Sequence, residues 1–177
     1  MVPSLIEKSI IEFCYGNYFQ GMLNICPAID STAKKRYNIK ENGKRIKQYL
    51  NDELPNLISL GSGIRADFKA GTTVNIHSET LGGLIYKFIR NPIIHEGEWS
   101  KRVVLADNFT LGYDPLGKIV LPKALLRNLP VVVVGSIENA SLKFNNLLEI
   151  EGSPNKWHDL NNYWGKIDKI IEFYYEK

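Results

Sequence analysis

Apolar side chains recur at intervals of three and four residues in one stretch of this chain after another, and a chain patterned this way must bury helical stripes against each other. In "SLIEKSIIEFCY" the stripe is Leu5, Ile6, Ile10, Phe13 and Cys14, with Ser4 placed to cap it. Gly16 and Asn17 break the pattern, and Asn17 can start the next helix, "YFQGMLNICPAIDSTAKKRY", striped by Phe19, Met22, Leu23, Cys26, Ile29 and Ala33. Pro27 lies inside that helix and predicts a kink, because it removes one hydrogen bond and crowds the preceding turn. Asp30 sits one residue past the stripe and reads as a structural acid that caps or pairs locally. A third helix is predicted from about Glu41 to Glu53 on Ile46, Tyr49 and Leu50. Residues 56–74 hold three glycines and few periodic positions, so they read as loop with room for one short helix.

The pattern returns in "SETLGGLIYKFIRNPIIHEG", capped by Ser78 or Thr80 and striped by Leu81, Leu84, Ile85, Phe88 and Ile89. Gly82 and Gly83 each cost about 1 kcal/mol relative to Ala inside a helix. They point to another backbone packed very close, within the domain or across a dimer. The period then changes: 102–121 carries β-branched and aromatic residues around the turn Asp114-Pro115-Leu116-Gly117 and reads as a small inserted β-hairpin that projects from the bundle. "PKALLRNLPVVVVGSIENAS" fits strand by its four valines and helix by Leu125, Leu126 and Leu129; Pro122 at a first helical position tips it to helix. Trp157, Leu160, Trp164, Ile167, Ile171 and Tyr174 mark a closing amphipathic helix. The expected fold is therefore mostly α. It is one domain over 1–177, an up-and-down bundle of about five helices with the hairpin inserted at 102–121. The Ser78–His95 helix is expected at its centre with the C-terminal helix along it, and Trp157, Trp164, Phe88 and Leu84 in the core.

With 177 residues, 44% hydrophobic and 23% charged, the chain has the makeup of an ordinary globular protein, and no apolar run approaches the roughly 20 residues of a membrane span. Glu7 and Glu12 interrupt the N-terminal apolar pattern and no basic leader precedes it, so a signal peptide is not expected. Cys14 and Cys26 lack a CxxC spacing and read as small buried side chains in a reducing cytoplasm. In that setting the sequons at Asn108 and Asn139 carry no meaning. The net charge of +3 is modest, yet "KKRYNIKENGKRIK" (34–47) holds seven basic residues and one acidic one. Lys34, Lys35, Arg36, Lys44, Arg45 and Lys47 are thus candidate RNA-binding residues that steer phosphate, with Tyr37 as a stacking face. A solvated helix end fits the same segment, since cations favour the C-terminal dipole.

The cluster Arg90, Asn91 and His95 straddles Pro92, which disfavours helical geometry at Asn91 and predicts a kink or a fresh helical start capped by Asn91. On a regular helix Arg90 and His95 lie about 140° apart, while Asn91 and His95 share a face. A helix-terminal structural cluster is one reading and a phosphate site is the other. The spacing Arg90-Asn91-x-x-x-His95 resembles the signature of the HEPN superfamily (higher eukaryotes and prokaryotes nucleotide-binding), and "YGNYFQGMLNICPAIDSTAKK" is similar to the early helices of its bacterial members. The position two after the histidine, a Tyr in one toxin branch, is Gly97, so regulation by modifying such a Tyr is not supported here.

The resemblance implies metal-independent RNA cleavage at a homodimer interface, with no cofactor. A 2′-hydroxyl attacks the adjacent phosphate, His95 serves as acid and base, Arg90 holds the charged phosphorane, and Asn91 orients His95 or a phosphate oxygen. A toxin or phage-defence role with an antitoxin or regulatory partner belongs to the same implication. No second His, Cys or carboxylate stands at metal-ligand spacing; Glu96 and Glu98 adjoin His95 but read as solvated loop acids, and no P-loop, GxSxG or GxGxxG is present. The alternative from another class is a non-catalytic dimeric module that binds RNA, nucleotide or a partner protein through the same groove.

Overall fold

The helical stripes close on one another around one continuous apolar core. The computed structural model describes residues 1–63, 75–76, 78–146, 148–152 and 156–175. Helix α1 (Val2–Cys14) turns back through Gly16, at φ +79°, onto α2 (Tyr18–Arg36). The two approach closely because Gly21 faces the Phe13 ring, where a β-carbon would lie 2.5 Å from a ring atom. Ser9 Oγ donates to the Gly21 carbonyl across the same contact at 2.8 Å. Cys26 is buried there, as expected, whereas Cys14 is exposed at the end of α1.

Helix α3 (Asn42–Asp52) lies within a residue of its predicted span. Helix α4 (Leu54–Ser62) is a short helix at the start of the stretch read as loop with room for one, and it begins two residues earlier. Leu54, Leu57 and Leu60 are buried at a spacing of three, Pro55 suits a first turn, and Gly63 ends the helix at φ +68°. Interspersed Gly and Ser thinned the pattern below recognition; residues 64–74 lie outside the described ones.

The fold is mostly helical, but its helices are shorter and more numerous than the five expected. Helices α5 (Leu81–Ile85), α6 (Lys123–Arg127) and α7 (Leu129–Gly135) follow. The valine run is helical, and its missing periodicity has a physical reason: every residue of α7 is buried, so it is apolar all round. It packs against α1, α2, α4, α6 and α8 (Ile167–Tyr175), and so holds the central place expected for the Ser78–His95 helix. The chief helical neighbours of α8 are α4 and α7.

The 102–121 segment corrects the simple projecting hairpin. Strands β3 (Val103–Ala106), β4 (Gly112–Tyr113) and β5 (Ile119–Pro122) form a three-stranded sheet ordered β3-β5-β4. The antiparallel β4–β5 arm turns at the expected Asp114–Gly117, where Asp114 Oδ1 accepts the Leu116 and Lys118 amides. Strand β3 adds parallel to β5, and Val103, Ile119 and Leu121 join the core instead of projecting. Short pairs β1 (Asn75–Ile76) with β2 (Glu79–Thr80), and β6 (Glu149–Gly152) with β7 (Lys156–Asp159), are the other strands among the described residues.

The closing helix is also shorter than predicted. Residues 156–159 are strand, Leu160–Tyr163 form a 3₁₀ turn, and α8 begins at Ile167. Asp159 accepts the Asn161 amide and Gly165 takes φ +71°; both local devices outcompete a continuous helix. Trp164 and Leu84 are buried as expected, Phe88 is half-buried, and the Trp157 side chain lies outside the described ones.

A polar network ties these layers together. Arg36, at the end of α2, donates from Nε and Nη2 to Glu138 at 2.9 Å each and pairs through Nη1 with Glu53 at 2.6 Å. Its guanidinium lies 4.8 Å from the centroid of the buried Tyr49 ring, and Tyr49 Oη meets Ser136 Oγ at 2.7 Å. Burial pushes the Glu53 carboxyl up, opposed by Arg36 and by the Asn56 amide. Removing one partner of such a set strands the others without water. Arg36→Ala is therefore expected to cost about 3–5 kcal/mol in chemical denaturation. Lys44→Ala, which loses only an exposed pair with Glu41, should stay within about 0.5 kcal/mol. An Arg36→Ala loss as small as that of Lys44→Ala would contradict the network's role.

Candidate functional site

The motif helix is positioned by a glycine contact inside the chain. Thr80 caps α5 by accepting the Gly83 amide at 3.1 Å, one of the two caps that the sequence offered. A β-carbon at Gly82 would lie 2.6 Å from the Lys47 carbonyl oxygen and 2.6 Å from Asn51 Oδ1, which accepts the Gly82 amide. The close backbone that Gly82 implies is thus α3 of the same chain, while Gly83 meets only the Thr80 and Glu79 side chains. That face is filled and is not free for a symmetry mate.

Beyond Ile85 the helix widens into π-helical turns, Tyr86–Arg90 and Pro92–Glu96. Asn91 keeps helical angles (φ −64°, ψ −50°), and its amide donates to the Tyr86 carbonyl five residues back. The fresh helical start predicted at Asn91 does not form, because the wide turn carries the helix past the donor that Pro92 lacks. Pro92 and Ile93 anchor the turn in the core; His95, Glu96, Gly97 and Glu98 are exposed, and Gly97 ends the helix at φ +69°.

This widening decides the geometry of the cluster. Arg90 and His95 are five positions apart, and a turn that bonds five residues apart brings them over one another. Arg90 Nη1 lies 3.1 Å from Asn91 Oδ1 and 3.2 Å from His95 Nε2. For Arg90 to donate to the ring, Nε2 must be unprotonated and the proton must sit on Nδ1. Arg90 is half-buried, and its Nε is enclosed with no hydrogen-bond partner among the described residues. Cys26 lies near enough to feel its charge: burial pushes the thiol up to about 12 while Arg90 pulls the other way. A thiol so placed is inert as a nucleophile.

The six candidate residues of the 34–47 run do not act as one patch. Arg36 is committed to Glu53 and Glu138, and Arg45 to Asp30, at 2.8 Å, and to the carbonyls of Ile39 and Lys40. Asp30 is the structural acid the sequence suggested. Lys35 Nζ bonds the Glu138 carbonyl and Asn139 Oδ1. Lys34 is exposed, and Lys44 pairs with Glu41 in solvent. Tyr37 is tied by its hydroxyl to Asp52 at 2.5 Å. Lys47 is the one that reaches the motif helix, its Nζ 5.2 Å from the Tyr86 ring centroid while Arg90 Cζ lies 5.5 Å from the same point. A second cation–aromatic group sits nearby: Arg102 lies 4.8 Å and Lys87 5.1 Å from the Phe88 centroid, and Lys87 also pairs with Glu79 at 2.6 Å.

Sequence reasoning missed Tyr86 and Arg102. The available signal was Tyr86 four residues before Arg90, a helical neighbour with an aromatic face. Among the described residues no three His, Cys, Asp or Glu side chains gather as a metal group, and no helix is long and apolar enough to cross a membrane. His158 bonds Tyr163 at 2.7 Å and stacks on Phe173, away from the cluster in sequence and element, and His77 lies outside the described residues.

Because Gly82 sits against backbone, Gly82→Ala must push α3 off α5, and is expected to cost about 1–3 kcal/mol in thermal or denaturant unfolding. Gly112→Ala, where a β-carbon meets open space, should be nearly neutral. Equal stability of the two variants would contradict the tight crossing.

A family model described as Rv1289 matches residues 2–177. No curated protein and no solved structure matches the chain. With nearly the whole chain covered, this protein belongs to the Rv1289 family.

Proposed function

We propose that the protein is a metal-independent endoribonuclease of HEPN type. The observation that supports it is the convergence of Asn91 Oδ1 and His95 Nε2 on one guanidinium nitrogen, Arg90 Nη1, at 3.1 and 3.2 Å. An anion entering beside His95 would exchange one of these bonds for a charge-assisted contact with Arg90, freeing the imidazole for proton transfer. His95 then takes the 2′-hydroxyl proton or delivers one to the departing 5′-oxygen. Arg90 stabilises the phosphorane, and Asn91 steers the guanidinium. One exposed histidine serves one of the two proton transfers, so the second belongs to the His95 of a homodimer partner. The face used is not that of Gly82. The setting is the cytoplasm, and a toxin or phage-defence role with an antitoxin or regulatory partner follows from the same reading.

The second reading is a non-catalytic dimeric module of HEPN type that binds RNA, nucleotide or a partner protein. It is favoured by the same 3.2 Å contact, since the nitrogen needed for proton transfer is engaged by Arg90.

Purified protein incubated with single-stranded RNA in excess chelator separates the two. Cleavage is expected, with 2′,3′-cyclic phosphate and 5′-hydroxyl ends, while a DNA oligonucleotide of the same sequence survives because it lacks the attacking hydroxyl. His95→Ala should lower the rate by roughly 10² to 10⁴ without unfolding the protein. Arg90→Ala should do likewise, and Arg90→Lys should also be poor because an ammonium lacks the planar fork. Binding without cleavage by wild type would favour the module; loss of activity on chelation would defeat the proposed chemistry.

A further inference from the structure

Two cations share one aromatic ring at this site, and neither has a carboxylate partner among the described residues. Lys47 and Arg90 approach the Tyr86 centroid to 5.2 and 5.5 Å, which bounds their separation. Lys87 and Lys123, close by in sequence or in type, are instead neutralised by Glu79 and Asp107. Two cations on one ring with no acid between them make a positive site that an anion would complete, and the negative face of the ring holds both in place. The gathering is built in: the Gly82 contact fixes the Lys47 backbone against α5, and Tyr86 is itself lodged against Gly43, where a β-carbon would come within 2.8 Å of the phenol oxygen. Lys47 is exposed and Arg90 half-buried, so an anion reaches the pair from solvent.

We propose that Lys47 and Arg90, held as a pair by Tyr86, cradle two neighbouring phosphates of one RNA strand, Arg90 taking the reacting phosphate and Lys47 the next. The assignment of the reacting phosphate rests on the proposed cleavage; the two-phosphate cradle is tested apart from it. Tyr86 is a positioning residue, and Lys47 contributes a phosphate contact that is independent of base identity. The preferred ligand is therefore an oligonucleotide with at least two linked phosphates, not a mononucleotide or a dinucleotide.

Fluorescence anisotropy with a short labelled single-stranded 2′-O-methyl RNA, which cannot be cut, reads binding alone. Losing one phosphate contact on a single strand lowers the slope of log affinity against log salt by about 0.7, which weakens binding roughly fourfold at 0.15 M salt. Lys47→Ala and Tyr86→Leu are each expected to show that change, and Lys47→Arg and Tyr86→Phe to retain the wild-type slope. A labelled dinucleotide with a single phosphate should bind wild type and Lys47→Ala alike. A Lys47→Ala slope equal to wild type overturns the cradle, even if wild type cleaves RNA, and so does an equal Lys47 effect on the dinucleotide. Lys47-dependent binding by a wild type that cuts no RNA sustains the cradle and removes only the cleavage. A wild type that binds no RNA overturns it.

Discussion

The carbonyl of Lys47 occupies the space where a side chain on Gly82 would begin, and most of the site follows from that contact. With Gly82 bare, α3 crosses α5 at backbone distance and the Gly82 amide is satisfied by Asn51. The crossing carries the Lys47 side chain onto Tyr86, one turn before Arg90. The second constraint acts along the helix. Pro92 has no amide to give, and the chain answers with a wide turn in which Asn91 donates to Tyr86. That turn stacks Arg90 over His95, which an α-helix would have set about 140° apart.

Two arginines of the basic run are used for stability. Arg36 joins the end of α2 to Glu53 at the start of α4 and to Glu138 in the turn after α7, so one guanidinium links three parts of the chain around a central apolar helix. Arg45 does the same locally for Asp30 and two carbonyls. A run of cations in sequence is thus divided by the fold. Those with acids within reach lock the scaffold, and Lys47, which has none among the described residues, is left facing the motif helix.

How much was legible follows from which signals are local. The stripes of α1, α2 and α3 and the Thr80 cap were readable because each rests on residues within a turn or two. Helix α7 blurred because complete burial erases periodicity, and α4 because Gly61, Ser59 and Ser62 thinned its stripe. The long C-terminal helix failed for the opposite reason: a good apolar spacing from Trp157 to Tyr174 was overruled by Asp159 and the positive φ of Gly165. At the site, the three motif residues were visible as a spacing. Their convergence was not, since it depends on a π turn, and neither was the choice of Lys47 among the six candidates, which depends on a helix crossing set by Gly82.

The central claim is that this wide turn closes Arg90 onto the Nε2 atom of His95. Nitrogen-15 NMR of the imidazole rings, with His95 assigned by its loss in His95→Gln, reads the tautomer directly. Under conditions where the ring is neutral, the account requires the proton on Nδ1 and a hydrogen-bonded, unprotonated Nε2 that changes on Arg90→Ala. A His95 protonated on Nε2, or one indifferent to the loss of Arg90, would contradict it.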